Sequence, residues 1–359
     1  MKILYVLDTP FSFANGCWFY RNFLPGEALK AKGHFVRYIA LHPNIQAEFL
    51  NWPDVVVFTR TYPRDPLIPM RQFKRLGKKV VYEIDDNLWD VNPDNPSVAI
   101  STEKRRQYEH LIKEVDCVTT TTEFLANKLR KFNKNVFVCP NSVDYGIWKK
   151  RPCNHKRLQI GYSGASSHWY DLTLITDVLI ELQKKYEFDF VLQGMTGTPI
   201  ESEMYGYAQV VKHGLRPEQN RYLKAALDWF EKVKQLRFFH IPFYPPELFP
   251  SVLSRCDFDI GLAPLRDNTF NYSKSCVKFY EYAAIGAATL ASNVLPYKKE
   301  VGYCAKNTFK DWYRKLEKLI VDEDFRKKLA EKQGKWVREN RDLSKIVTLW
   351  EDAFDPKNI

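Results

Sequence analysis

The chain has 359 residues, 45% apolar and 27% charged, and a formal net charge of +11. The length allows two domains of ordinary size, and the composition is that of a soluble globular protein. No apolar run approaches the ~20 residues that span a bilayer, and the seven cysteines form neither a CxxC pair nor a Cys/His cluster with metal spacing.

Strand and helix patterns alternate along the chain, as in a parallel α/β sheet. The opening MKILYVLDTPFSF lacks the cleavage pattern of a signal peptide and reads as a first buried strand, Lys2 to Leu7. A helix from Phe19 to Lys32, stopped by Gly33, precedes strands at 35–40, 54–60, 79–84 and 117–120. Helices are expected around 69–76, 103–114 and 123–131, and a strand at 136–139 closes the first half. The polar, proline-bearing KKRPCNHKR marks the boundary between a domain of 1–150 and one of 151–342. The second half restarts with a strand at 158–162, the turn SGASSH, a helix at 172–186 and a strand at 188–193. An insertion at about 195–235 is longer than a strand–helix–strand unit needs. It holds Tyr205, Tyr207, His213, Arg216, Arg221, Tyr222 and Trp229, and long insertions are often functional. Strands at 236–239 and 258–262 and helices at 309–321, 324–340 and 343–354 complete the order.

The basic excess calls for an acidic partner: a sugar nucleotide with a lipid phosphate, an anionic membrane surface, or nucleic acid. The basic residues are spread along the chain, and the densest run, 306–341, is laced with acids in the manner of solvated helix faces. Scattered cysteines in apolar surroundings fit reduced thiols and a cytoplasmic location.

The most informative stretch is PLRDNTFNYSKSCVKFYEYAAIGAATLAS, residues 264–292. On one helix, Lys274, Lys278 and Glu281 would share a face, with Ser275 near the start. A helix N-terminus attracts phosphate, and two lysines with a carboxylate further in suit a nucleoside diphosphate: lysines on the phosphates, carboxylate on a ribose hydroxyl pair. Three other places point to a cleft. The loop after the first strand ends in Asn15-Gly16, with Arg21 just beyond, where a glycine lets backbone approach an anion. Glu83-Ile84-Asp85-Asp86 puts paired carboxylates at a strand end, where they either bind a divalent metal through hard oxygen ligands, contact a ligand or structure the loop. Ser163 and Gly164 open the strand–turn–helix that faces the crevice of a doubly wound sheet, and His168 there either lines it or caps the helix. IPFYPPELF makes a rigid loop rich in proline and aromatics, whose Phe243 and Tyr244 are either core residues or a surface on which a ring can stack.

The 264–292 segment resembles the donor-binding segment of retaining, family-4-like glycosyltransferases of the GT-B fold. YEIDDNLW, residues 119–144, SGASSH and the donor segment fall in the family's order. The resemblance implies two Rossmann-like, doubly wound α/β domains facing a cleft, with a C-terminal helix (343–359) crossing back to the first. It implies transfer of a sugar from a nucleotide-diphosphate donor, a UDP-sugar foremost, with retention and without a metal or other cofactor. Lys278, Glu281 and Asp267 would be catalytic. Gly16, Ser163, Gly164, Tyr244, Asn268, Lys274 and Ser275 would join the first two in holding the donor, and Asn15, Arg21, Asp85 and Asp86 would face the acceptor. The acceptor would be a glycan, a lipid-linked sugar or a protein, and Asn141-Ser142-Val143-Asp144 would be an interdomain hinge. There are two departures. Ala288 replaces a usual proline, and the wider family's first glutamate, eight positions before Glu281, is Ser273 here. Asp267 or Asn268 is expected to take over its work on the sugar hydroxyls. Two other readings stay open: the same chemistry on modified DNA bases, and a catalytically silent module that binds nucleotide sugars.

Overall fold

The computed structural model describes residues 1–8, 16–42, 45–60, 67–91, 101–150, 155–165, 168–194 and 221–358. Asn15, Ser166, Ser167 and the insertion's Tyr205, Tyr207, His213 and Arg216 lie outside them.

Two six-stranded, all-parallel sheets organise the chain. The first contains β1 (Lys2–Leu7), β2 (Phe35–Ala40), β3 (Val55–Thr59), β4 (Lys79–Glu83), β5 (Cys117–Thr120) and β6 (Val136–Val138). Its order is β2-β1-β3-β4-β5-β6. The strands β3, β4 and β5 are buried at every position; β3 and β5 read as unbroken apolar or β-branched runs and β4 as an apolar centre between Lys79 and Glu83, the pattern of strands covered on both faces. The second sheet contains β7 (Leu158–Gly164), β8 (Phe188–Gly194), β9 (Phe238–Ile241), β10 (Ile260–Ala263), β11 (Ala288–Ser292) and β12 (Cys304–Ala305), in the order β12-β11-β10-β7-β8-β9. In each sheet the order reverses once: between β1 and β3 in the first, between β7 and β10 in the second. Loops leaving the carboxyl ends of strands at such a reversal diverge and leave a crevice for ligands. Gly16 and Arg60 follow β1 and β3; Ser163 and Gly164 end β7, with Ala165 just after, and the 264–292 segment follows β10.

Close packing at the second reversal needs glycine. Gly161 and Gly261 are register partners, and a Cβ on Gly261 would lie 2.3 Å from the Tyr282 ring. Gly194, at φ +80°, ends β8 where a Cβ would meet the Gly164 carbonyl oxygen at 2.4 Å.

The two halves are tied by two crossings that lie side by side. Val143 N–H donates to Arg341 O at 3.0 Å and Leu343 N–H to Val143 O at 2.9 Å. The helix Leu343–Phe354 then runs back onto the first sheet. Ile346, Val347, Trp350, Ala353 and Phe354 share an apolar cluster with Ile3, Tyr5, Val55, Val57, Val81, Cys117 and Cys139. Among the described residues, no helix is long and apolar enough to cross a membrane.

Most expected elements are present, with shifted ends. The first helix begins at Gly16 and contains a π-helical turn over Phe19–Phe23 before Leu24–Ala31. The helix expected at 172–186 is two pieces, Trp169–Leu172 and Thr176–Gln183. The largest difference lies in the 264–292 segment. Asn268 caps a single turn, Thr269–Tyr272, by accepting from Asn271 N–H, and the chain restarts as a second helix at Val277. Lys274 and Ser275 therefore lie in the break, and only Lys278 and Glu281 ride the helix Val277–Ala284.

Trp350 is 1% exposed. Trp350→Ala is expected to destabilise the protein by about 3–5 kcal/mol in urea unfolding, the cost of a large buried cavity. A loss below about 1 kcal/mol would show that the returning helix does not anchor the first sheet.

Candidate active site

A cavity of about 300 Å³ opens between the carboxyl ends of the two sheets. From the first half, Gly16, Tyr20, Asp85, Asp86, Thr121 and Asn141 line it. From the second, Ser163, Gly164, His168, Gln193, Tyr244, Lys274, Ser275, Lys278 and Glu281 do. Twelve of the site candidates singled out in the sequence therefore converge: Gly16, Asp85, Asp86, Ser163, Gly164, His168, Phe243, Tyr244, Lys274, Ser275, Lys278 and Glu281.

Lys278 and Glu281 project from the helix Val277–Ala284, whose N-cap residue, Cys276, supplies no side-chain cap to the first-turn N–H groups. Burial pulls the Lys278 ammonium below the usual lysine range; Glu281 opposes that shift and Lys274 reinforces it. Its Nζ lies 5.5 Å from the centroid of the Tyr162 ring. Glu281 is 4% exposed. Burial pushes its carboxyl up, against the hydrogen bond it accepts from Tyr20 Oη and the charge of Lys278. Lys274, in the break before the helix, stands 3.6 Å from Asp86.

Asp85 and Asp86 lie 3.2 Å from the same Arg60 nitrogen, Nη1. Burial would raise Asp86, but Lys274 and Arg60 outweigh it and hold the carboxyl below its usual range. Their negative charge is thus already matched by cations. Among the described residues, no group of three or more His, Cys, Asp or Glu side chains is placed to hold a metal.

Ser163 donates through Oγ to Gln193 Oε1 at 2.6 Å, and its N–H donates to Tyr282 Oη at 2.8 Å. That amide is therefore committed to the fold and not turned to a ligand. Phe243, 57% exposed, and Tyr244 lie at the mouth of the cavity on the loop after β9.

Three expected site residues are elsewhere. Arg21 is 0% exposed and forms a buried pair with Glu83, Nε to Oε1 at 2.7 Å and Nη2 to Oε2 at 3.0 Å. Its Nη1 donates to Cys139 O at 2.6 Å and Asn141 Oδ1 at 2.9 Å, and Trp350 lies over its guanidinium at 4.5 Å. It is a structural ion pair beneath the cleft, not an acceptor contact. Asp267 and Asn268 are exposed outside the cavity lining, Asp267 accepting from Tyr272 Oη and Asn268 occupied as a helix cap. Neither lines the cavity where Lys278 and Glu281 meet. Ser273, at the missing glutamate's position, is 1% exposed and is gripped by the other half: Asn87 Nδ2 donates to its Oγ at 3.0 Å and Thr122 Oγ1 to its carbonyl at 2.9 Å. The position has become a joint between the halves.

Other residues of the site were not legible as such. Tyr20 reaches Glu281 across 261 positions of sequence, and nothing local marks it. Asn141, in the segment expected to be a hinge, both accepts from Arg21 and donates through Nδ2 to Ser275 Oγ at 2.8 Å. Gln193 and Arg60 occupy strand ends, a signal too general to single them out.

No protein-family model matches the chain, and no curated protein matches it by sequence. Solved structures do match. HepE of Anabaena, in complex with UDP and glucose, has a TM-score of 0.67 at 12% identity over 98% of both chains. Sucrose-phosphate synthase from Thermosynechococcus elongatus has 0.66 at 12% identity, over 99% of this chain and 98% of its own. An α-glucosyltransferase in complex with UDP and a 13-mer DNA containing an HMU base has 0.64 at 12% identity over 99% of both. The chain has the GT-B fold: two doubly wound parallel sheets facing a cleft, with the last helix returned to the first.

Arg21→Leu leaves Glu83 as an unpaired buried carboxylate and is expected to destabilise by about 3–5 kcal/mol in urea unfolding. Unchanged stability together with a loss of ligand binding would instead return Arg21 to the cleft.

Proposed function

We propose that the protein is a glycosyltransferase that moves a sugar from a nucleoside-diphosphate donor, a UDP-sugar, to an acceptor, with retention and without a metal ion. The observation that carries this reading is the meeting of Lys274, Lys278 and Glu281 in one cavity at the strand-order reversal of the second sheet. The lysines and the uncapped first turn of the Val277 helix take the pyrophosphate, Glu281 the ribose hydroxyls, and Phe243 or Tyr244 the base. The UDP complexes of structural neighbours support the choice of nucleotide.

In the reaction, the bond between the anomeric carbon and the phosphate oxygen breaks and negative charge builds on the departing diphosphate. Ammonium groups already in place stabilise that charge without reorganising, the usual source of the largest catalytic term. The acceptor oxygen bonds to the same face of the anomeric carbon, and its proton passes to the leaving phosphate oxygen. Retention rests on the resemblance of the donor segment. Independence of a metal is supported by the lysines that face the diphosphate and by the engagement of Asp85 and Asp86 with Arg60. Those two aspartates would face the acceptor across the cleft.

Lys278→Ala and Glu281→Ala proteins are expected to remain folded while nucleoside diphosphate release from the sugar donor falls by on the order of a hundredfold or more. Full activity in both would remove the assignment. The lowered Lys278 ammonium loses its proton earlier than a free lysine as pH rises. UDP affinity is therefore expected to fall between neutral pH and about pH 9, and Lys278→Arg, which stays charged, to flatten that dependence. An equal slope in both proteins would contradict it.

A second reading, modified bases of DNA as acceptor, is favoured by the net charge of +11 and by the DNA-bound neighbour. Duplex DNA binding that drops steeply with added salt would support it, and no binding at low salt would eliminate it.

A further inference from the structure

His168 and Asp171 form a polar pair in the cleft that the donor assignments leave unused. His168 immediately precedes the helix Trp169–Leu172 and lines the cavity. Its Nδ1 lies 2.8 Å from Asp171 Oδ2. Asp171 is 4% exposed, and its Oδ1 accepts the Arg266 N–H at 2.8 Å. A carboxylate can only accept, so Nδ1 carries the proton. Burial and then the charge of Lys278 push the imidazole down to about 4, against the pull of Asp171, so the ring is neutral near pH 7. A neutral ring with its proton on Nδ1 leaves Nε2 as a bare lone pair. Such an atom repels phosphate oxygens, which also only accept. Its partner must bring an O–H or N–H group.

We propose that His168 is a specificity-determining residue for the transferred sugar, its Nε2 accepting a hydrogen bond from a sugar hydroxyl, with Asp171 fixing the tautomer that makes it an acceptor. This deepens the proposed function and rests on it: the lysines take the diphosphate and Glu281 the ribose, which leaves the hydroxyls of the hexose or pentose for His168.

Two measurements on the full chain test it. In the ligand-free protein at pH 7, nitrogen-15 histidine spectra are expected to show His168 neutral, protonated at Nδ1 and bare at Nε2. A ring protonated at Nε2, or at both nitrogens, overturns the proposal without reference to any substrate. Calorimetry with UDP and UDP-glucose as probes gives the second reading. His168→Ala is expected to weaken UDP-glucose binding on the order of tenfold, the worth of one hydrogen bond, and UDP binding by no more than about twofold. Asp171→Asn should do the same, since its amide donates to Nδ1 and shifts the ring proton to Nε2. His168→Gln, whose Oε1 accepts, should retain most of the affinity. Equal losses for both probes would assign His168 to the nucleotide or to the fold, and no loss in either would remove it from the site; both overturn the proposal. A wild-type protein that binds neither probe and releases no nucleoside diphosphate from any sugar nucleotide removes the glycosyl-transfer reading itself, and this proposal with it.

Discussion

Two ammonium groups face a cleft whose carboxylates are already engaged. Asp85 and Asp86 share Arg60, and Glu281 accepts from Tyr20. Burial holds Lys278 below the ordinary lysine range even with Glu281 one turn away. Lys274 stands 3.6 Å from Asp86, which leaves Lys278 as the ammonium best placed to attract an anionic ligand instead of closing an internal salt bridge. The architecture around it keeps that condition in place. The reversal of strand order between β7 and β10 opens the crevice, and the helix break at 273–276 brings Lys274 and Ser275 to its wall.

A second constraint holds the facing half in register. The Arg21–Glu83 pair lies beneath the cleft, bonded to Asn141 and the Cys139 carbonyl and covered by Trp350 of the returning helix. Asn141 passes the connection on to Ser275, while Asn87 and Thr122 hold Ser273. The 264–292 segment is therefore fastened to the first half at Ser273 and Ser275, and its placement depends on that half although its own sequence carries the motif. Ser273 shows what the missing glutamate's position does in this chain: its side chain and carbonyl join the halves through Asn87 and Thr122.

Much of this was legible in the sequence, for identifiable reasons. Fully buried parallel strands read as apolar runs, so the two sheets and the closing helix could be placed. Lys278 and Glu281 lie within one helix, where spacing alone fixes their common face. What failed depended on partners distant in sequence. Arg21 looks like a cleft residue until Glu83, 62 positions away, is seen to take it. The spacing puts Lys274 on the helix because nothing in SKSCVK announces that the turn capped by Asn268 stops at Tyr272 and that the chain restarts only at Val277. Tyr20 and Gln193 carry no local signature, since their roles are set by tertiary contacts with Glu281 and Ser163.

The most direct test of the account is a crystal structure of the protein with UDP bound. It should place the diphosphate within hydrogen-bonding distance of Lys278 Nζ and the N–H groups that open the Val277 helix, with the ribose at Glu281. A nucleotide bound outside the cleft, or one in the cleft with no phosphate contact to Lys278 and with Glu281 still bonded only to Tyr20, would contradict it.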